Sequence, residues 1–178
     1  TYLGDQYIEW NIDSIPVNQS YISFLETYPQ TDLEVYFSAP FSSSLKEFLM
    51  MTFGTAVQGL SELDAIGLLL DFVQHAHQYQ TDQDQFGMEK IMFPDEWLLY
   101  QSSDCDDRAV FFAKLVMEVM GKEAIGLDYP GHVAAAIAVS SDMSGTKIQY
   151  ANQEYLICDP TFIGASPGRA MPDYEDTR

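Results

Sequence analysis

Ser103-Asp104-Cys105-Asp106-Asp107-Arg108-Ala109 decides how the rest of the chain is read. Asp104 is a good helix N-cap residue, and Asp107 stands three places on, where a side chain can reach back to the cap. That puts Cys105 on the first turn of a helix. Val110, Ala113, Met117 and Met120 give the helix an apolar face, and Gly121 suits its C-terminal stop. The predicted helix runs from Cys105 to about Met120. A helix N-terminus favours a thiolate through its free N–H groups and partial positive charge. Asp104, Asp106 and Asp107 oppose it, so a reactive thiol here needs a cationic partner. A histidine is the obvious one, with Arg108 neutralising one carboxylate. Most free cysteines are small buried apolar residues. A run of three carboxylates is hard to bury, which speaks against that reading of Cys105.

Downstream the pattern changes to short strands: Ala124 to Asp128, His132 to Val139, Thr146 to Ala151 and Tyr155 to Asp159. Gly145 marks one turn and Asn152 another. Pro130-Gly131 is a further turn signal, and His132 opens the strand that follows it. The alanines of that strand let a helix sit close. In the last strand Tyr155, Ile157 and Asp159 point to one face, while Leu156 and Cys158 point to the other. Asp159 facing a site therefore makes Cys158 a core residue and disfavours a Cys105–Cys158 bridge.

Upstream, a serine among Ser42, Ser43 and Ser44 can cap a helix from Leu45 to about Phe53. Ser61 can cap a longer helix to about Tyr79, with Leu63, Ile66, Leu70 and Val73 on its buried face. Phe93-Pro94-Asp95-Glu96-Trp97-Leu98-Leu99-Tyr100 reads as a short helix with proline near its start. Thr81 to Lys90 is a polar loop. Counted from Asp82 as a calcium loop, its fifth and twelfth positions are Phe86 and Phe93, so the ligand pattern fails. Residues 1–40 read as an N-terminal extension packed on the main body. Strands are expected there at Tyr7-Ile8-Glu9-Trp10-Asn11-Ile12 and Leu33-Glu34-Val35-Tyr36-Phe37. Helices first and strands later predict an α+β fold, with the nucleophile helix packed on an antiparallel sheet.

A length of 178 residues suits one domain with a real core. The formal charge of −19, with only 8 Lys and Arg, excludes phosphate-driven binding of nucleic acid. Part of the acidity lies at the C-terminus, in Asp173, Glu175 and Asp176. No apolar run reaches the length of a membrane span. The chain begins at Thr1, and it can be part of a larger protein. Two cysteines do not make a disulfide framework.

Of the three histidines, His75 and His77 are two residues apart on the Ser61 helix and share no face, so both read as structural or surface residues. His132, beside a turn at a strand start, can face a cleft. Asp159 precedes Pro160 and can either orient His132 or serve as a turn residue. A metal site at Asp104, Asp106 and Asp107 with His132 has no ligand spacing to support it, so no metal and no cofactor is expected.

The ordered set resembles the transglutaminase-like superfamily, whose fold is related to papain-like cysteine proteases. The resemblance rests on Phe72-Val73-Gln74, Tyr79, Asp82, Phe93-Pro94-Asp95-Glu96, Asp104-Cys105-Asp106-Asp107, Gly131-His132-Val133 and Asp159-Pro160-Thr161. It covers about residues 60 to 165. Ser103 departs from the glycine common two places before the cysteine, and Trp97 stands where threonine is frequent. The resemblance implies a papain/transglutaminase-like catalytic domain over residues 41–178. It implies Cys105 as nucleophile, His132 as base and Asp159 as orienter, and it suggests a bacterial, extracytoplasmic setting. The implied chemistry is attack of a thiolate on a peptide or amide carbonyl, giving an acyl-enzyme. The backbone N–H of Cys105 is one oxyanion donor. Gln74 and Gln101 are the side-chain candidates, with Gln74 preferred. Trp97, Tyr100 and Tyr129 are candidates for the cleft wall. Water as acceptor gives a peptidase or amidase, the default; an amine gives a transglutaminase. The competing reading is a catalytically silent module that grips a peptide or partner domain.

Overall fold

Around the Cys105 stretch the backbone does what the sequence predicts. A computed structural model describes residues 2–3, 6–7, 12 and 14–174. Helix α7 spans Cys105–Met120, with Asp104 extended at its N-cap and Gly121 left-handed at φ 64° beyond its end. The N–H of Gly121 closes the last turn onto the Met117 carbonyl at 3.1 Å. The helix is buried nearly all round, because Asp106 through Val116 are enclosed. It forms the centre of the molecule rather than one amphipathic edge.

On one side of α7 lies a four-stranded antiparallel sheet: β5 (Ala124–Tyr129), β6 (His132–Ala138), β8 (Gln153–Cys158) and β7 (Lys147–Tyr150), in that spatial order. Ala135 pairs with Cys158 and Ile137 with Leu156. All four residues join the core cluster that includes Phe111, Phe112, Leu115 and Val116 of α7. Alternation along β8 thus places Cys158 in the core, as expected. Alanine at 135 lets α7 pack close to the sheet. The remaining helices are α1 (Gln19–Glu26), α2 (Leu33–Ser38), α3 (Ser43–Leu49), α4 (Glu62–Ala76), α5 (Asp82–Gln85) and α6 (Pro94–Trp97). Of these, α2, α3, α4 and α6 pack on α7, and α1 packs on α6. The chain is α+β. Among the described residues no helix is long and apolar enough to cross a membrane.

Four expectations change. Leu33–Phe37 is helical in α2, not a strand. Tyr36 is buried against Phe93, and Phe37 lies on the sheet at Gly126, where a Cβ would meet its ring at 2.7 Å. Long-range packing of these two rings overrides the β-propensity of the segment. The helix capped by Ser61 ends at Ala76 instead of about Tyr79. Gln78–Tyr79 is the short strand β3, paired in parallel with β4 (Ser102–Ser103). Leu63 is exposed, so the buried face of α4 is carried by Ile66, Leu69, Leu70 and Val73. Helix α3 stops at Leu49 and continues as one π-helical turn over Met50–Gly54. Of the strand expected over Tyr7–Ile12, Tyr7 lies in β2 (Gln6–Tyr7), and residues 8–11 lie outside the described residues.

Helices α1 and α2 are attached through a second small core, in which Ile22, Leu25, Tyr36 and Ala39 meet Phe93 of the α6 N-cap and Val110 of α7. Trp97 is fully enclosed, stacked on Phe111 at 4.0 Å and on His77 at 3.8 Å between ring centroids. It is a core residue and no cleft wall. Trp97→Ala should lower the unfolding free energy by about 3–5 kcal/mol in urea titrations. A loss under about 1 kcal/mol would be incompatible with this packing.

Candidate active site

Three elements bring the predicted triad together. Cys105 opens α7 and is the partly exposed thiol of the pair, while Cys158 is enclosed and both are free. Burial pushes the Cys158 thiol up to about 12, which leaves it inert at neutral pH. His132 is the first residue of β6, set by the turn at Pro130-Gly131, where Gly131 adopts φ 77°. Asp159 follows the last residue of β8. Its Oδ1 accepts the N–H groups of Thr161 at 2.9 Å and Phe162 at 3.2 Å, so Asp-Pro-Thr forms a side-chain-closed turn. Oδ2 is thereby aimed at His132 Nε2, 2.8 Å away. A carboxylate only accepts, so Nε2 carries the hydrogen, and Cys105 lies close enough to the ring to favour its charged form.

His132 is 7% exposed, and burial alone would lower its pKa. The hydrogen bonds to Asp159 and Cys105, with their charges, outweigh burial and raise it to about 9. At neutral pH the ring is an imidazolium held between a carboxylate and a sulfur.

Gln74, on α4, has a different role from the oxyanion donor expected of it. Its Nε2 donates to the carbonyls of Asp159 at 3.1 Å, Phe162 at 2.9 Å and Ala165 at 3.1 Å. Its Oε1 accepts the Gly164 N–H at 3.0 Å. With every donor engaged, Gln74 holds the loop that presents Asp159. The spacing Phe72-Val73-Gln74 marks the right helix, but no local signal says that a buried amide will serve a distant loop. Gln101 is exposed, and its carbonyl accepts the Gln78 N–H at 3.1 Å, which sets the residue just before β4. Its side chain remains a candidate oxyanion donor.

The aromatic candidates divide. Tyr129 is cross-strand partner of His132 and stacks with it at 6.4 Å between centroids. Tyr100 packs edge-on to Phe86 at 5.3 Å and lies under the Lys90 ammonium, so its ring neighbours belong to the 86–90 loop. Two further residues belong to the site. Tyr174, on a 3₁₀ turn at Pro172–Tyr174, stacks on His132 at 4.9 Å and on Tyr129 at 5.0 Å. Its position in an acidic terminal stretch gave no signal. Tyr79 is 54% exposed, close enough to Cys105 to feel its charge, with the Arg108 guanidinium 5.7 Å from its ring centre. Burial and the charges of Cys105 and Asp104 raise its hydroxyl pKa, so it stays a donor at neutral pH.

Arg108 neutralises no flanking carboxylate through a hydrogen bond. Almost fully buried, it donates to Ser103 Oγ at 3.2 Å, the Gln74 carbonyl at 3.4 Å and the His77 carbonyl at 2.9 Å. It caps the C-terminal end of α4, where carbonyls lack helical partners. His77 beside it is pushed down to about 4 by burial and by the Arg108 charge, so it is neutral and structural. His75 is exposed and turns Nδ1 to the Asp71 carbonyl of its own helix at 2.8 Å.

The flanking acids are buried after all. Asp107 accepts the N–H groups of Met92 at 2.7 Å and Asp104 at 3.4 Å, and burial with the Asp104 charge lifts it to about 8. Asp106 is raised by burial and by its hydrogen bond with Asp104. Carboxylate oxygens of Asp82, Asp104 and Asp106 lie within 4.8 Å of one another, an arrangement among the described residues that could hold a metal ion. Asp82 reaches it from α5, which sequence spacing did not reveal.

No protein-family model matches this sequence, and no curated protein matches it.

Two measurements check this geometry. His132 has a folded pKa above its unfolded value of about 6.5. The stability it contributes is therefore fully present below pH 6.5 and lost as pH rises through about 9. In Asp159→Asn that pH dependence should flatten, and the His132 ring resonances should titrate nearer 6.5. Gln74→Leu should cost about 1–3 kcal/mol by leaving loop carbonyls unpaired. It should also lower the His132 pKa without touching the ring, a shift that a purely structural role for Gln74 would not produce.

Proposed function

We propose that this chain is a thiol-dependent acyl-transfer enzyme acting on peptide or amide substrates, with hydrolysis as its default reaction, built on a papain/transglutaminase-like architecture. The observation that carries the reading is His132, bound through Nε2 to Asp159 at 2.8 Å and close enough to Cys105 for the thiol to raise its pKa. Nucleophile, base and orienter follow one another in that order along the chain, on a helix start, a strand start and a strand end. This supports the likeness to the transglutaminase-like superfamily that the motifs suggest.

In the reaction, the imidazolium stabilises the Cys105 thiolate by charge. The sulfur attacks the carbonyl carbon, and the carbonyl electrons move to oxygen. The free N–H of the first helical residue faces that oxyanion, together with the dipole of α7. Tyr79 is a side-chain donor near Cys105, and Gln101 remains the sequence candidate. As the tetrahedral species collapses, His132 gives its proton to the leaving amine. Water then loses a proton to His132 and attacks the thioester, which releases the carboxylic acid and restores the pair. Tyr129 and Tyr174 form the aromatic flank of His132 and offer apolar contact to a substrate beside the reacting carbonyl.

Purified chain should hydrolyse members of a mixed peptide library, and Cys105→Ala should abolish turnover. His132→Ala should lower it by about 10²–10⁴-fold. Iodoacetamide should modify Cys105 faster than an unstructured thiol, while Cys158 remains unmodified on peptide mapping. Cys105 reacting no faster than a free thiol, with library peptides bound but uncleaved, would replace the enzyme reading with the binding module.

A further inference from the structure

The sheet leaves one edge open, and acyl transfer gives that edge no task. β5 pairs with β6 along its whole length, from Ala124 against Ile137 to Tyr129 against His132, without a bulge. The Ala138 N–H donates to the Glu123 carbonyl at 2.9 Å, which fixes the parity of this ladder. Odd-numbered residues of β5 bond to β6, so the N–H and C=O groups of Ala124, Gly126 and Asp128 point outward. Among the described residues these groups have no backbone partner. Sheet edges are ordinarily blunted by lysine, proline, a bulge or a short strand. The opposite edge follows that rule, since β7 has 4 residues and starts at Lys147. β5 has 6 residues, Ala124 to Tyr129, and none of these protections.

A groove of about 650 Å³ lies along this edge, lined by β5, α2, Met117 of α7 and the β7 residues Ile148 and Tyr150. Side chains of a strand alternate, so Ile125, Leu127 and Tyr129 share one face of β5, and Ala124 and Asp128 the other. Phe37 lies on the second face, where Gly126 leaves room for its ring. Glu34, one turn before Phe37 on α2, and Asp128 are exposed acids of the groove. No lysine or arginine among the described residues lines it. The lysines are committed to other acids: Lys46 and Lys114 to Glu118, Lys90 to Glu96, Lys122 to Glu62 and Lys147 to Glu154. With a formal charge of −19, the chain repels a second copy of itself and attracts a cationic strand.

We propose that the open edge of β5 binds an extended peptide as an added strand, with apolar and basic residues alternating along it. The outward N–H and C=O groups of Gly126 and Asp128 hold the peptide backbone. Its apolar side chains lie beside Ile125, Leu127 and Ile148. Its basic side chains rest their stems on Phe37 and carry their charges to Glu34 and Asp128. β5 ends at Tyr129, the cross-strand partner of His132, so a strand added here is led toward the candidate site. That the docked peptide is a substrate rests on the acyl-transfer reading; the docking itself does not.

The test uses the full chain carrying Cys105→Ala, which removes turnover and leaves β5 unchanged. Titrated into a dye-labelled peptide that alternates valine and lysine, it should give a saturable rise in fluorescence anisotropy. Binding should weaken as salt rises from about 50 mM to about 500 mM, and a peptide with glutamate in place of lysine should not bind. Two N-methylated peptides separate strand pairing from charge. Methylation of one alternate set of backbone nitrogens should abolish saturable binding, and methylation of the other should leave it within about threefold. Asp128→Lys should weaken binding by about tenfold through like-charge contact, and Glu34→Lys is the second variant if Asp128→Lys does not fold. The parent chain binding the peptide without cleaving it would support the docking and count against acyl transfer. No saturable change up to about 1 mM peptide would overturn the proposal. So would equal binding of the two methylated peptides, or binding unchanged in both charge reversals. A dimer in sedimentation velocity that the peptide does not dissociate would give the edge to a second copy and overturn it as well.

Discussion

A guanidinium buried at the joint between α4 and α7 sets the geometry on which everything else rests. Arg108 is 1% exposed, yet its donors are satisfied, because Ser103 and two carbonyls at the end of α4 replace water. Those carbonyls have no helical partner of their own, and a cation there also answers the negative end of the helix dipole. One side chain therefore stops α4, fixes Ser103, and positions the turn that carries Cys105. The short parallel pairing of β3 with β4 fastens the same two segments through the backbone.

From that joint the candidate site is assembled by two further links. α4 carries Gln74, whose amide gathers the loop after β8 and so sets the carboxylate of Asp159. α7 carries the sulfur and packs against β6, which starts with His132. The helix that ends at Arg108 and the helix that begins before it thus control two of the three groups, and the sheet supplies the third. Placing Cys105, His132 and Asp159 on or beside elements locked by core packing fixes their relative geometry.

Much of this was legible in the sequence. The bounds of α7 followed from Asp104, a run free of Gly and Pro, and Gly121. The four strands followed from alternation and turn residues, and the order of Cys105, His132 and Asp159 pointed to one site. What escaped was decided by contacts between residues far apart in the chain. Leu33–Phe37 has strand-like composition but is helical because Tyr36 and Phe37 each insert into a different surface. Trp97 stands in a promising segment but is sealed between His77 and Phe111. Gln74 offers a donor to any reader of the sequence; only the fold shows four bonds already made. Tyr174 reaches His132 from a segment with no pattern of its own, and Asp82, though part of the motif set, meets Asp104 and Asp106 only through the fold.

The turn before His132 has a consequence for how the protein can be altered. Tyr129 and His132 are paired across a hairpin closed by Pro130-Gly131 alone. Strand side chains alternate faces, so a one-residue slip in the register of β6 would turn the imidazole to the opposite side of the sheet. The loop is in effect a ruler with no slack. The other hairpin of the sheet turns at Ala151 and Asn152, both with left-handed backbones and exposed side chains, and holds none of Cys105, His132 and Asp159. Linkers, reporter groups and new chain ends belong there, on the edge of the sheet where length is not part of the chemistry.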